Sequence, residues 1–155
     1  MKTWVRAGLI GGVAGIILTL PAFLSFYLPL TLGSIISTCA SLVFLLLYPG
    51  VGALAAYWLR TPRETKQAAI DGALAGLLAF GIDGIATILI TLIVAATGGL
   101  EQYMSQFAPY ISPDMLATAN TFTTTLITVC SCMNVLLGVM FSAFGGWIFA
   151  SVRPN

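Results

Sequence analysis

The sequence predicts an all-α, polytopic membrane protein: four transmembrane helices in a compact left-handed bundle. Three observations carry that expectation. Of 155 residues, 59% are hydrophobic and only 7% are charged, against about a quarter charged in an ordinary soluble domain, and the mean hydropathy is +1.02. Four apolar runs, each offering the ~20 residues that a bilayer crossing needs, are separated by short polar breaks. The six Lys and Arg residues (Lys2, Arg6, Arg60, Arg63, Lys66 and Arg153) fall at the chain ends and in the middle break, on one side of a four-span topology. A chain of this length makes a single transmembrane domain over residues 1–155.

Composition also narrows the chemistry. Histidine is absent, which removes the commonest metal ligand and general base and the usual haem ligand. Cys39, Cys130 and Cys132 lie inside apolar runs and read as small packing residues. Cys130 and Cys132, two apart on a helix, point to nearly opposite faces and cannot chelate one ion together. No activating base accompanies any serine or cysteine, and no glycine-rich phosphate loop follows a strand. The expectation is no enzyme, no metal and no cofactor, and a net charge of +1 gives no reason to expect nucleic acid.

The first helix is expected over 5–28. Its basic start and apolar run resemble a signal peptide, but the run is too long and lacks a small-residue cleavage site, so it reads as a retained span with Pro21 as a kink. The second, 32–59, is polar at Ser34, Ser37, Thr38 and Ser41, then apolar, then broken at Pro49-Gly50. Its far end carries Tyr57 and Trp58, rings that favour the membrane interface. Thr61-Pro62-Arg63-Glu64 has the form of a capping box, with Thr at N-cap, Pro at N1 and Glu at N3. It predicts a third helix that starts in water near Pro62, spans 66–97 and stops at Gly98-Gly99. In the 98–112 loop, Leu100, Tyr103, Met104 and Phe107 fall at helical spacing, predicting a short interfacial helix. Ser112-Pro113-Asp114 is a helix start. The fourth helix, spanning the membrane over 118–150, would run from Pro113 to about Val152, too long for one straight crossing. Its first turns project from the membrane, or it bends near Asn120.

The one-sided basic residues place both termini and the middle loop in the cytoplasm and the 98–112 loop outside, in a multi-pass protein of the cytoplasmic membrane. Small residues recur at steps of three and four on three helices: Gly8, Gly11, Gly15, Thr19 and Ala22; Gly72, Gly76, Ala79, Asp83 and Ala86; Thr121, Thr124, Thr128, Ser131, Val135, Gly138, Ser142 and Gly145. Such faces let lipid-solvated helices approach closely, and the steps favour left-handed crossings near +20°. Aligning Gly11 and Gly15 with Gly72 and Gly76, and Arg60 with Arg153, reads the chain as two helical hairpins in parallel orientation. Chance recurrence of G-x-x-x-G, a common motif in membrane helices, is the other reading.

Two carboxylates stand out. Asp83, near the middle of the third span, costs several kcal/mol at that depth and invites a functional reading. Asn134, Tyr48 and Thr19 fall close enough in depth to form a polar site with it. That site is either a proton- or cation-coupling group or a neutral Asp hydrogen-bonded to Asn134 or Tyr48. Asp71, one or two turns inside the basic boundary, is expected to pair at the interface with a snorkelling Arg6, the alternative being the mouth of a pathway leading to Asp83. The Thr and Ser residues of the fourth helix either line a polar pore or bond their own helix carbonyls. Two function classes follow: a non-enzymatic structural or accessory protein acting through helix–helix contacts with itself (a homo-oligomer) or with a larger membrane complex in the lipid bilayer, and a small oligomeric proton- or cation-coupled transporter or channel built on Asp83.

Overall fold

The computed structural model describes residues 2–24, 27–28, 30–59, 64–98 and 113–153. Those residues form four helices, α1 (Thr3–Leu24), α2 (Leu30–Tyr57), α3 (Thr65–Ala96) and α4 (Pro113–Val152), and no strand. All four are long and apolar enough to cross a membrane. The expected interfacial helix lies outside the described residues.

Several boundaries differ from expectation for physical reasons. Leu24, not residue 28, ends α1, which passes through Pro21 without interruption. Pro49 does not break α2 either: the helix continues to Tyr57. Proline removes one donor, to the Leu45 carbonyl, but that loss does not end a helix whose neighbours hold it. α3 begins at Thr65 with Glu64 as an extended N-cap that makes no side-chain cap bond. Glu64 therefore stands at N-cap and not at N3, and the rest of the expected capping box lies outside the described residues. At the other end of α3, Thr97 is the C-cap and Gly98 has φ 73°, the left-handed stop that glycine adopts without a Cβ penalty. α4 is one uninterrupted helix of 40 residues, about 60 Å at 1.5 Å per residue. It is helical through Asn120, and its apolar span covers Val129–Val152.

The helices pack in the cyclic order α1, α3, α4, α2. A further contact joins α2 to α3 across the diagonal, while α1 and α4 do not touch among the described residues. α1 runs parallel to α3, with Gly8 against Ala75 and Leu78, Gly11 against Ala79, Gly12 against Ile82 and Gly15 against Asp83. α4 is antiparallel to α3: Gly146 meets Ala68, Gly72 meets Ser142, Gly138 meets Phe80 and Gly84 meets Val135. The core is small-residue packing around Ala7, Val51, Ala55, Ala75, Ala79 and Phe80. Large side chains such as Ile17, Leu46, Ile85 and Met140 point outward. That inverted arrangement suits a lipid solvent, which offers apolar chains no reason to hide and leaves close backbone approach as the source of cohesion.

The tightest approach is near the end that carries Lys2, Arg6, Lys66 and Arg153. There α2 and α4 cross so closely that a Cβ on Gly52 would fall on the Ser142 carbonyl, and one on Gly145 on the Pro49 carbonyl. Under the hairpin alignment on Arg60 and Arg153, Gly52 is equivalent to Gly145 and Pro49 to Ser142, so these contacts exchange under a two-fold. α1 and α3 do not follow it. Gly15 faces Asp83, whereas its counterpart Gly76 faces Ser142, and the diagonal contact between α2 and α3 has no partner between α1 and α4.

Candidate functional site

The small-residue faces bring the polar side chains inward. Gly8, Gly11, Gly15 and Thr19 of α1, Gly72, Gly76, Ala79 and Asp83 of α3, and Ser131, Gly138, Ser142 and Gly145 of α4 are all buried. The side chains of Ala22, Thr121, Thr124 and Thr128 lie outside the described set.

Asp83 is 3% exposed. Thr19 donates its hydroxyl to Asp83 Oδ1 at 2.8 Å and to its own helix at the Gly15 carbonyl at 2.9 Å. Gly15 makes this possible: a Cβ there would stand 3.2 Å from the Asp83 Cβ, Cγ and Oδ1. A side chain at residue 15 would thus press directly on the carboxyl group. The expected hydrogen bond from Asp83 to Asn134 or Tyr48 is not made. Tyr48 donates instead to Asn134 Oδ1 across the α2–α4 interface. The predicted four-residue site is therefore two pairs, Asp83–Thr19 joining α3 to α1 and Tyr48–Asn134 joining α2 to α4. Depth along the axis put all four within reach, but direction around each helix decides the partners.

Tyr48 has further support. Its ring meets Phe80 edge-on at a centroid distance of 4.6 Å, and its backbone carbonyl accepts from Ser142 Oγ at 2.7 Å. Ser142 is fully buried, and sequence reading placed it on the small-residue face of the fourth helix without singling it out. Its hydroxyl is a buried interhelical donor beside Pro49.

Asp71, 6% exposed, does not pair with Arg6. Thr3 donates to its Oδ2 at 3.1 Å and Gln67 to its Oδ1 at 2.9 Å, while Arg6 is exposed. Two neutral donors close at hand occupy the carboxylate and leave the guanidinium free to stay in water, where its solvation is best. Gln67 sits four residues before Asp71 on the same face, a spacing that could have been read from the sequence.

The three cysteines, Cys39 on α2 and Cys130 and Cys132 on α4, are exposed, not packed inside as expected. Lipid accepts a thiol as readily as a core does. Among the described residues no three His, Cys, Asp or Glu side chains come together.

Away from the basic end, a groove of about 640 Å³ is lined by residues of α2, α3 and α4. Ser37 and Ser41 of α2, Thr87 of α3, and Cys130, Ser131 and Asn134 of α4 are among the residues that line it. Asp83 is not. A smaller apolar groove of about 350 Å³ runs beside α1 and α3 near Trp4 and Leu78. No family model, curated protein or solved structure matches the chain.

Proposed function

We propose that the chain is a non-enzymatic structural or accessory protein of the cytoplasmic membrane, working through helix–helix contacts with itself or with a larger membrane complex. Both termini face the cytoplasm by the one-sided distribution of Lys and Arg. The observation that carries the reading is the state of Asp83. The one carboxylate deep in the membrane is buried against Gly15, bonded to Thr19, and absent from the lining of both described grooves. An acid so placed acts as an interhelical tie, a use that polar side chains commonly have between membrane helices.

The second reading, a proton- or cation-coupled transporter or channel, is favoured by one observation. Only Oδ1 of Asp83 has a hydrogen-bond partner among the described residues, so Oδ2 is a buried acceptor that a passing proton or cation could use.

A photo-reactive amino acid placed in turn at Ile17, Leu46, Leu77 and Met140, all outward-facing, tests the accessory reading in native membranes. Adducts to protein from one or two of these faces are expected. Adducts to lipid alone from all four would overturn the reading.

A further inference from the structure

The outer half of α2 is an unusual membrane surface. Gly33, Ile36, Ala40, Phe44 and Leu47 form the narrow stripe that turns inward, while Ser34, Ser37, Thr38 and Ser41 are exposed. At 100° per residue these four hydroxyls fall within an arc of ~100°, directly beside the inward stripe. Two of them, Ser37 and Ser41, form the α2 wall of the groove, and Thr87 and Asn134 stand across it.

Donors and acceptors in this groove are unbalanced in a specific way. Asn134 Oδ1 is taken by Tyr48, but its Nδ2 has no hydrogen-bond partner among the described residues. On α2 two of the four hydroxyl hydrogens are already spent: Thr38 donates to the Ser34 carbonyl at 2.8 Å and Ser41 to the Ser37 carbonyl at 2.9 Å. The oxygens of Thr38 and Ser41 keep lone pairs and can only accept. One wall offers acceptors and the other an unused donor, and an unmet polar group in hydrocarbon is costly.

Depth selects the occupant. On α2, Leu30–Tyr57, the midpoint falls near Phe44, so Ser41 lies roughly 4 Å and Ser37 roughly 10 Å beyond it at 1.5 Å per residue. The hydrocarbon core reaches about 15 Å from its centre, so the polar groups of an ordinary glycerolipid stand too high to serve Asn134. A second copy inserted in the same sense brings its own α2 hydroxyls to the matching depth by symmetry, and a two-fold contact uses each wall twice.

We propose that two copies of the chain pair in the membrane across this groove, the hydroxyl face of α2 in each copy seated against Asn134 and Thr87 of the other. The proposal rests on the accessory reading above and names its partner as a second copy. Copies of the full chain labelled with donor or acceptor dye at the C-terminus, reconstituted in phosphatidylcholine vesicles over a series of lipid dilutions, give the association constant by energy transfer. The wild type is expected to dimerise. Ser37→Leu/Ser41→Leu should weaken association about tenfold, the loss of two or so interhelical hydrogen bonds, with unchanged thermal stability because both positions are exposed. Leu77→Ala, on the far face of α3, should leave association unchanged. A wild type that stays monomeric at every dilution, a dimer indifferent to the α2 double variant, or a monomer carrying a neutral lipid in native mass spectrometry would each overturn the pairing. None of these touches the broader reading, which the photo-crosslinking of other membrane proteins decides separately.

Discussion

Asp83 and Asp71 show how two buried acids are held without a basic partner among the described residues. In each case a hydroxyl on α1 donates to a carboxylate on α3, Thr19 to Asp83 and Thr3 to Asp71. Replacing Thr19 by Val should therefore destabilise the bundle by about 0.6–1.7 kcal/mol, the range found for interhelical side-chain bonds in membranes. Asp83→Asn keeps an acceptor oxygen for Thr19 and should cost less. Steric-trap unfolding in bicelles measures both. Around Asp71, Thr3→Val combined with Gln67→Leu should cost about 1–2 kcal/mol by leaving the carboxylate bare, while Arg6→Ala should stay within about 0.5 kcal/mol. An Arg6→Ala loss as large as that of the double variant would restore the ion pair expected from depth alone. That expectation erred because a residue's level on its helix is legible from sequence, whereas its bearing depends on which helices become neighbours. Thr19 and Asp83 could be matched in level, but α1 beside α3 had to be seen.

The elements are joined by backbone approach, and the glycines divide sharply by what surrounds them. Gly52 and Gly145 each face a carbonyl on the opposing helix, whereas Gly50 and Gly81 have nothing within 4 Å of an added Cβ. Gly52→Ala and Gly145→Ala should each lower stability by about 1–3 kcal/mol, the usual cost of overpacking. Gly50→Ala and Gly81→Ala should be neutral or mildly stabilising, since alanine is the better helix former. Thermal melts of the four variants in one detergent read the contrast. The existence of four long apolar helices was legible from hydropathy, and the inward faces from the spacing of small residues. The fate of Pro49 was not, because a proline's effect depends on whether neighbouring helices hold the segment on either side. Nor was the groove lined by α2, α3 and α4, since the small-residue spacing of α4 continues through that region without a break.

At the scale of the whole molecule, a core of alanine and glycine lies inside a shell of Leu, Ile, Met and Phe. A bundle built this way depends on lipid for its solvent and on close contact for its cohesion. The basic residues at one end give a checkable orientation: cysteines placed at Lys2 and Arg153 should react with a membrane-impermeant maleimide only after cells are opened, and one placed at Gln106 should react in intact cells, all in a cysteine-free background. Labelling of the termini from outside would reverse the topology. The central proposal is that Asp83, bonded to Thr19, serves as a tie between α1 and α3 and not as a coupling group. It is tested most directly by reconstituting wild type and Asp83→Asn in liposomes and recording proton and cation flux beside unfolding stability. The account predicts no flux above empty liposomes for either protein, with at most a small difference in stability; a wild type that conducts, alongside a fully folded Asp83→Asn that does not, would contradict it.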